Sequence, residues 1–278
     1  MRRTLPLALV ALLALAGCLP DGLTDFDFNT IRPPRATPEA PRGWVEVGQA
    51  DAGTVHVILY AEGGAHAGYA RLRVGLVDAG GAPIREAHVT LAADVARGGG
   101  TVPLPVEAPA TTTADEEGYF AAALYLLPDA PGAAAYVEIG VETAGHTPAT
   151  ATLPLAITDD PLWDRVTSSD GLILHAAWVR PERPVVGDNT FEARLFRETA
   201  EGFAPLAGAQ VQLYPFMDMG GGEGHSTPFT PPFEPEPGLI RCQVNFIMSG
   251  GWELSLFVRR EGQPRDTVRF APFTVHEQ

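Results

Sequence analysis

The chain has 278 residues, of which 19 are basic and 34 are acidic, and its formal net charge is −15. Every basic residue is an arginine, which excludes a Schiff-base lysine and a lysine-dependent phosphate loop. The acidic balance argues against nucleic acid as a partner, because that binding depends on basic side chains that neutralise phosphates. The 30 glycines and 26 prolines predict many short strands separated by turns.

Residues 1–17 have the pattern of a cleaved export signal. Arg2 and Arg3 precede the apolar run Leu5–Ala16, which is too short to span a bilayer, since spanning needs about 20 residues. The sequence Leu-Ala-Gly-Cys ending at Cys18 resembles the lipobox of bacterial lipoproteins, and this implies that Cys18 is lipidated and holds the protein at a membrane. Leu19 after the cysteine implies the outer membrane, by similarity to the sorting rule of enteric bacteria. The alternative is an ordinary secretory signal with an incidental cysteine.

Residues 18–43 form a predicted tether behind the lipidated cysteine. Four prolines, at 33, 34, 38 and 41, favour extended backbone in this segment. The only other cysteine is Cys242, so with Cys18 lipidated no disulfide can form within the chain. We interpret Cys242 as a small buried side chain.

The remainder of the chain contains an internal repeat. Residues 72–77 match residues 191–196 at an offset of 119, and Gly118 matches Gly238 at an offset of 120. A repeat of this length indicates a duplicated domain. We therefore predict one domain at 44–158 and a second at 165–278.

Both repeats show the period-two alternation of strands with one buried face. In Leu239–Met248 and in Trp252–Val258 the even positions are all apolar. About seven such runs occur in each repeat, with Gly- and Pro-rich turns between them. The pattern predicts an all-β chain with two tandem immunoglobulin-like β-sandwich domains.

The second repeat contains a loop rich in soft metal ligands. Met217 and Met219 are followed by a glycine-rich stretch and His225, and Met248 ends a predicted strand. Thioethers select Cu(I), and imidazole suits both oxidation states of copper. At the repeat offset of 122, Met217 corresponds to Val95 and Met219 to Arg97, so the first repeat lacks these ligands.

Residues 170–275 resemble the YtkA-like (FixH-related) domain family. The resemblance is carried by Val-Gly-Asp-Asn at 186–189, Ala-Gly-Ala at 207–209, the Met217 to Met219 loop with His225, Gly238, and Met-Ser-Gly-Gly-Trp at 248–252. It implies an extracytoplasmic immunoglobulin-like domain linked with copper handling.

Two interpretations of this pattern stay open. In the first, the protein is a non-catalytic binding protein that holds or passes copper through Met217, Met219, His225 and Met248. In the second, it is a structural or interaction lipoprotein that presents its sandwiches to an envelope partner. There the loop methionines pack on the sandwich end, His225 faces solvent, and Met248 faces the core, as its strand parity suggests. His56 and His175, which fall at similar places in the two repeats, indicate a repeated structural position. No enzyme motif is present.

Overall fold

The computed structural model describes residues 40–108, 110–130, 132–220 and 223–278. The predicted signal peptide, Cys18 and the tether as far as residue 39 lie outside the described residues. Within the described part of the chain no helix is long and apolar enough to cross a membrane.

Ten antiparallel strands form the first half of the described chain, in two sheets. One sheet has the order β1-β2-β3-β8-β6, and the other has the order β10-β9-β4-β5, with β7 also paired to β4. The strands are β1 (Trp44–Ala52), β2 (Val55–Glu62), β3 (Gly68–Val77), β4 (Glu86–Arg97), β5 (Gly100–Pro103), β6 (Val106–Ala108), β7 (Ala110–Thr113), β8 (Tyr119–Leu126), β9 (Ala134–Glu142) and β10 (Ala149–Ala156).

Ten further strands form the second half, again in two sheets. Their orders are β11-β12-β13-β18-β17, with β14 paired to β13, and β16-β15-β19-β20. The strands are β11 (Trp163–Thr167), β12 (Ile173–Arg180), β13 (Gly187–Thr199), β14 (Gly202–Pro205), β15 (Gln210–Gly220), β16 (Glu223–His225), β17 (Phe233–Glu236), β18 (Leu239–Phe246), β19 (Gly250–Arg259) and β20 (Arg265–Val275).

The main strands of the two halves have the same order, as a duplicated domain should have: β1-β2-β3-β8-β6 corresponds to β11-β12-β13-β18-β17, and β10-β9-β4-β5 corresponds to β20-β19-β15-β16. The side strands differ, because β7 joins β4 in the first half and β14 joins β13 in the second. The matched segments at 72–77 and 191–196 lie in β3 and β13, which are both third in their sheets. The all-β immunoglobulin-like fold is therefore confirmed. Each half has more strands than the sequence pattern indicated, because short edge strands such as β5 and β16 pair through a few residues and show no alternation of their own.

Alternation builds a core inside each sandwich. In β19 the even positions from Trp252 to Val258 are fully buried, as the pattern predicts. In β18 alternation holds only as far as Phe246, where the strand ends. Burying one face of each sheet supplies the apolar area that stabilises a domain without disulfides.

The two sandwiches share an apolar contact. Ala177, Val179 and Phe196 of the second half belong to the core cluster of the first. The rings of Tyr125 and Phe196 lie edge to face at 4.8 Å. At Gly202 the backbone has a φ of +133°, and a Cβ there would lie 2.9 Å from the carbonyl oxygen of Pro103, so only glycine allows this approach.

A buried carboxylate joins the sandwiches at the same contact. Glu198 of β13 forms ion pairs with Arg97 at the end of β4 and with Arg165 of β11. His175 of β12 lies 2.8 Å from the same carboxylate through Nε2. Three groups from distant points of the chain therefore compensate one buried anion, which is the condition for a buried charge to be tolerated.

His175 is kept neutral by this environment. Its side chain is fully buried, and burial, followed by the charges of Arg165 and Arg97, lowers its pKa from 6.5 to about 3. A neutral ring that donates from Nε2 to Glu198 leaves Nδ1 as an acceptor, and Nδ1 has no hydrogen-bond partner in the described structure. His56, at the equivalent position in β2, instead bonds Asp51 and Gln49 near the surface.

We expect Glu198→Gln to destabilise the protein by about 3 kcal/mol, because it removes the buried carboxylate that Arg97 and Arg165 share. Urea denaturation measures the change. The control is Glu201→Gln on the exposed turn that follows β13, which should shift stability by less than about 0.5 kcal/mol. Equal stabilities of the two variants would show that the cluster contributes nothing.

We expect the neutral state of His175 to make stability pH-dependent. Between about pH 6.5 and pH 3, His175 is protonated in the unfolded chain but stays neutral in the folded protein. The free energy of unfolding therefore falls as the pH decreases through that window. At pH 5 this loss amounts to about 2 kcal/mol relative to neutral pH. His175→Gln keeps an N–H donor and cannot titrate. The stability that this variant loses between pH 7 and pH 5 should therefore be smaller than that of the parent by about 2 kcal/mol. If the stabilities of the variant and the parent fell equally with pH, the neutral state assigned to folded His175 would be contradicted.

Candidate functional site

Met217 and His225 lie opposite each other on neighbouring strands. β15 turns back into β16 near Gly220, whose φ is +87° and whose N–H donates to Asp218 Oδ1 at 2.8 Å. In the resulting pairing Met217 and His225 are direct Cα partners. Directly opposed residues of an antiparallel pair project from the same face, so the thioether and the imidazole stand side by side.

Trp252 connects this pair to Met248. The indole is fully buried, and the His225 ring lies edge-on to it, with centroids 5.7 Å apart. The indole N–H donates to the Met248 carbonyl at 3.1 Å. A Cβ at Gly250 would be 3.1 Å from the Met217 methyl, so the thioether also reaches the turn that carries Met248. The structure thus gathers Met217, His225 and Met248 around one indole.

The three methionines differ in exposure. Met217 is only 5% exposed and continues the inward parity of β15, whereas Met219, two residues on, is 58% exposed. Met248 is 39% exposed. The core-facing position that parity suggested for Met248 is wrong, because β18 ends at Phe246 and Met248 lies in the turn before β19. Two of the three thioethers therefore face solvent at this end of the second sandwich.

Other metal-binding side chains do not converge. Within the described ranges no three His, Cys, Asp or Glu side chains form a group that could hold a metal ion. Cys242 is 1% exposed, and burial raises the pKa of its thiol to about 12, which removes it as a thiolate ligand. The interpretation of Cys242 as a small buried side chain is confirmed. A metal site in this region would have to use thioether ligands, and sulfur with imidazole is a donor set that fits Cu(I).

Sequence reasoning assigned no role to Trp252. Two signals could have found it: the indole follows Met248 after a short Gly-containing turn, and it begins the buried parity of β19. A buried tryptophan near a strand end, close to methionine and histidine, indicates an aromatic ring that could interact with a cation bound by those side chains.

A comparison with known protein families matches the part of the chain that contains these side chains. Residues 173–257 match the model of the YtkA-like family. No curated protein sequence matches the chain. The fold thus places the chain among proteins with immunoglobulin-like β-sandwiches. More particularly, all four predicted ligands lie within the segment that matches the YtkA-like family model.

Solved structures with similar folds are distant. Invasin, a bacterial integrin-binding protein, is 14% identical over 77% of this chain and 39% of its own, with a TM-score of 0.24. Domains 5–6 of the S-layer protein SbsC are 9% identical over 84% of this chain and 98% of theirs, with a TM-score of 0.32. Trypsin-activated alpha-2-macroglobulin from Escherichia coli is 12% identical over 80% of this chain, with a TM-score of 0.29, and the match spans only 17% of that protein.

Proposed function

We propose that the protein is an exported, lipid-anchored, non-catalytic binding protein that binds Cu(I) in its YtkA-like domain. Met217, Met219, His225 and Met248 are the ligands in this proposal, and Cys18 carries the lipid. The single observation that carries the metal assignment is the register pairing of Met217 with His225, beside the indole that holds the Met248 turn.

Each side chain has a distinct part in this proposal. Met217 and His225 are held by the β15–β16 pairing and provide a preorganised sulfur and nitrogen. Met219 and Met248 are exposed enough to close over an ion that arrives from solvent. Trp252 excludes water from the core side of the site, and its aromatic ring interacts favourably with a cation. The bound ion would be stored or passed on as Cu(I), since thioethers favour that oxidation state.

The envelope location rests on the N-terminal sequence. The order of charge, apolar run, small residues and Cys18 supports lipidation, and Leu19 supports the outer membrane. The anchor would make a membrane the first partner of the protein. Nucleic acid is not proposed as a partner of this acidic chain.

A second candidate is an interaction lipoprotein without metal, and the repeat geometry favours it. In the first sandwich the end of β4, at Arg97, docks against the second sandwich. In the described part of the chain, the equivalent end of the second sandwich carries Met219, which is 58% exposed. Phe229, Ile247 and Met248 are exposed, and Met248 lies in the turn beside that end. An envelope protein could occupy this apolar end as the second sandwich occupies its counterpart.

Titration with Cu(I) separates the two candidates. The chain from residue 18, with Cys18→Ser to keep it soluble, competes with a chromophoric chelator under reducing conditions. We expect one equivalent to bind, and Met217→Leu/Met219→Leu to weaken binding more than about 100-fold, since even the partners of metal ligands contribute 10–100-fold. Leucine conserves volume, so packing at Met217 is retained.

The control for this titration is Ile247→Leu, which changes an exposed apolar side chain next to Met248 and should leave Cu(I) affinity unchanged. Comparison of the parent with Trp252→Phe identifies the Trp252 emission, and Cu(I) should quench it. Absence of stoichiometric binding, or equal affinity in the double variant, would refute the copper assignment and leave the interaction lipoprotein as the function.

A further inference from the structure

The outer face of the sheet β16-β15-β19-β20 carries a row of aromatic rings. Tyr214 and Phe216 alternate outward along β15, with ring centroids 6.0 Å apart and planes 14° from parallel. Phe257 of β19 adds a third ring, 6.3 Å from Tyr214 and 27° from parallel. Tyr214 is 44% exposed. The row lies on the opposite face of β15 from Met217, so it is separate from the proposed metal site.

Two unpaired arginines continue this row. The Arg265 guanidinium lies 4.1 Å over the Phe257 ring, and Arg259 is its direct cross-strand partner. The adjacent Arg260 pairs with Asp170 and Asp266, whereas neither Arg259 nor Arg265 has an ion pair within the described part of the chain.

Like charges directly opposite on paired strands are destabilising. Arg259 and Arg265 nevertheless lie opposite each other in a chain whose net charge is −15. Stacking on the Phe257 ring fixes the orientation of Arg265. Such a guanidinium pair is suited to bind a carboxylate through parallel hydrogen bonds.

A groove runs along the same surface. Its volume is about 410 Å³, and its lining includes Gln210, Gln212 and Gln263 together with Phe257 and both arginines. Primary amides both donate and accept hydrogen bonds, which suits a ligand with many hydroxyl groups. Sheet residues supply all of this lining except Gln263 and Pro264, so the surface is already formed.

We infer that this face binds an acidic polysaccharide. Sugar rings would lie against Tyr214 and Phe257, their hydroxyl groups would bond the glutamines, and their carboxylates would pair with Arg259 and Arg265. The occupant follows from the combination of features: the arginines require an anion, the aromatic row requires a flat apolar face, and the amides require hydroxyl groups. A uronic acid polymer presents all three at every residue. The inference does not depend on metal binding.

Affinity electrophoresis in native gels tests this inference. The chain from residue 18 with Cys18→Ser is run through gels that contain alginate, a polyuronate, or dextran, a neutral glucan. We expect retardation by alginate alone. Tyr214→Ala should weaken alginate binding about tenfold through the loss of one stacking surface, and Arg259→Gln/Arg265→Gln should abolish it.

Matched controls lie on other surfaces of the same domain. Phe233→Ala removes an exposed aromatic ring of β17 in the opposite sheet, and Arg183→Gln removes an exposed arginine that forms no ion pair among the described residues. Both should migrate like the parent. Near-ultraviolet circular dichroism verifies that each variant is folded.

Three outcomes would overturn the inference. The first is the absence of retardation by alginate. The second is equal retardation of the parent and Tyr214→Ala, which would mean attraction by charge alone. The third is equal or stronger retardation by polyglutamate, which would identify the surface as a site for an acidic peptide. The copper titration tests the opposite face of β15, so its result does not decide whether the aromatic row binds a polysaccharide.

Discussion

One buried carboxylate determines how the two halves of this protein are joined. Glu198 is compensated by Arg97 from the first sandwich and by Arg165 and His175 from the second. A carboxylate removed from water is tolerated only while such partners remain in place. The contact therefore fixes the end of β4 against β13. The end of the second sandwich that corresponds to Arg97 carries Met219 instead, and its side chain is exposed.

The fold was largely predictable from sequence because duplication and alternation are local signals. The offset of about 120 residues identified two copies of one domain, and parity identified the buried face of β19. The contact between the copies could not be predicted in this way. His56 and His175 occupy equivalent places in their repeats, yet one lies near the surface and the other is fully buried. Their difference comes from Arg97 and Arg165, whose proximity to Glu198 depends on tertiary structure alone.

The candidate site was predictable in part for similar reasons. The sequence already placed Met217, Met219 and His225 in one glycine-rich loop, and the pairing of β15 with β16 brings His225 opposite Met217. The expectation for Met248 failed because parity says nothing about where a strand stops, and β18 stops at Phe246. Trp252 was named from the sequence but was given no role in the site, because a buried tryptophan has the same sequence pattern whether it only packs or also supports a binding site. The aromatic row was equally hidden, since outward aromatic residues are common in strands.

The shared core has a consequence for the order of assembly. Ala177, Val179 and Phe196 complete an apolar cluster whose other members come from the first sandwich. During synthesis from the N-terminus, the sheets of the first sandwich can close while Tyr125 still lacks its contact with the Phe196 ring. That surface is covered only by β12 and β13, which begin at Ile173 and Gly187, after the last strand of the first sandwich has ended at Ala156. The first sandwich on its own therefore exposes an apolar patch, which the second sandwich covers once β12 and β13 are folded.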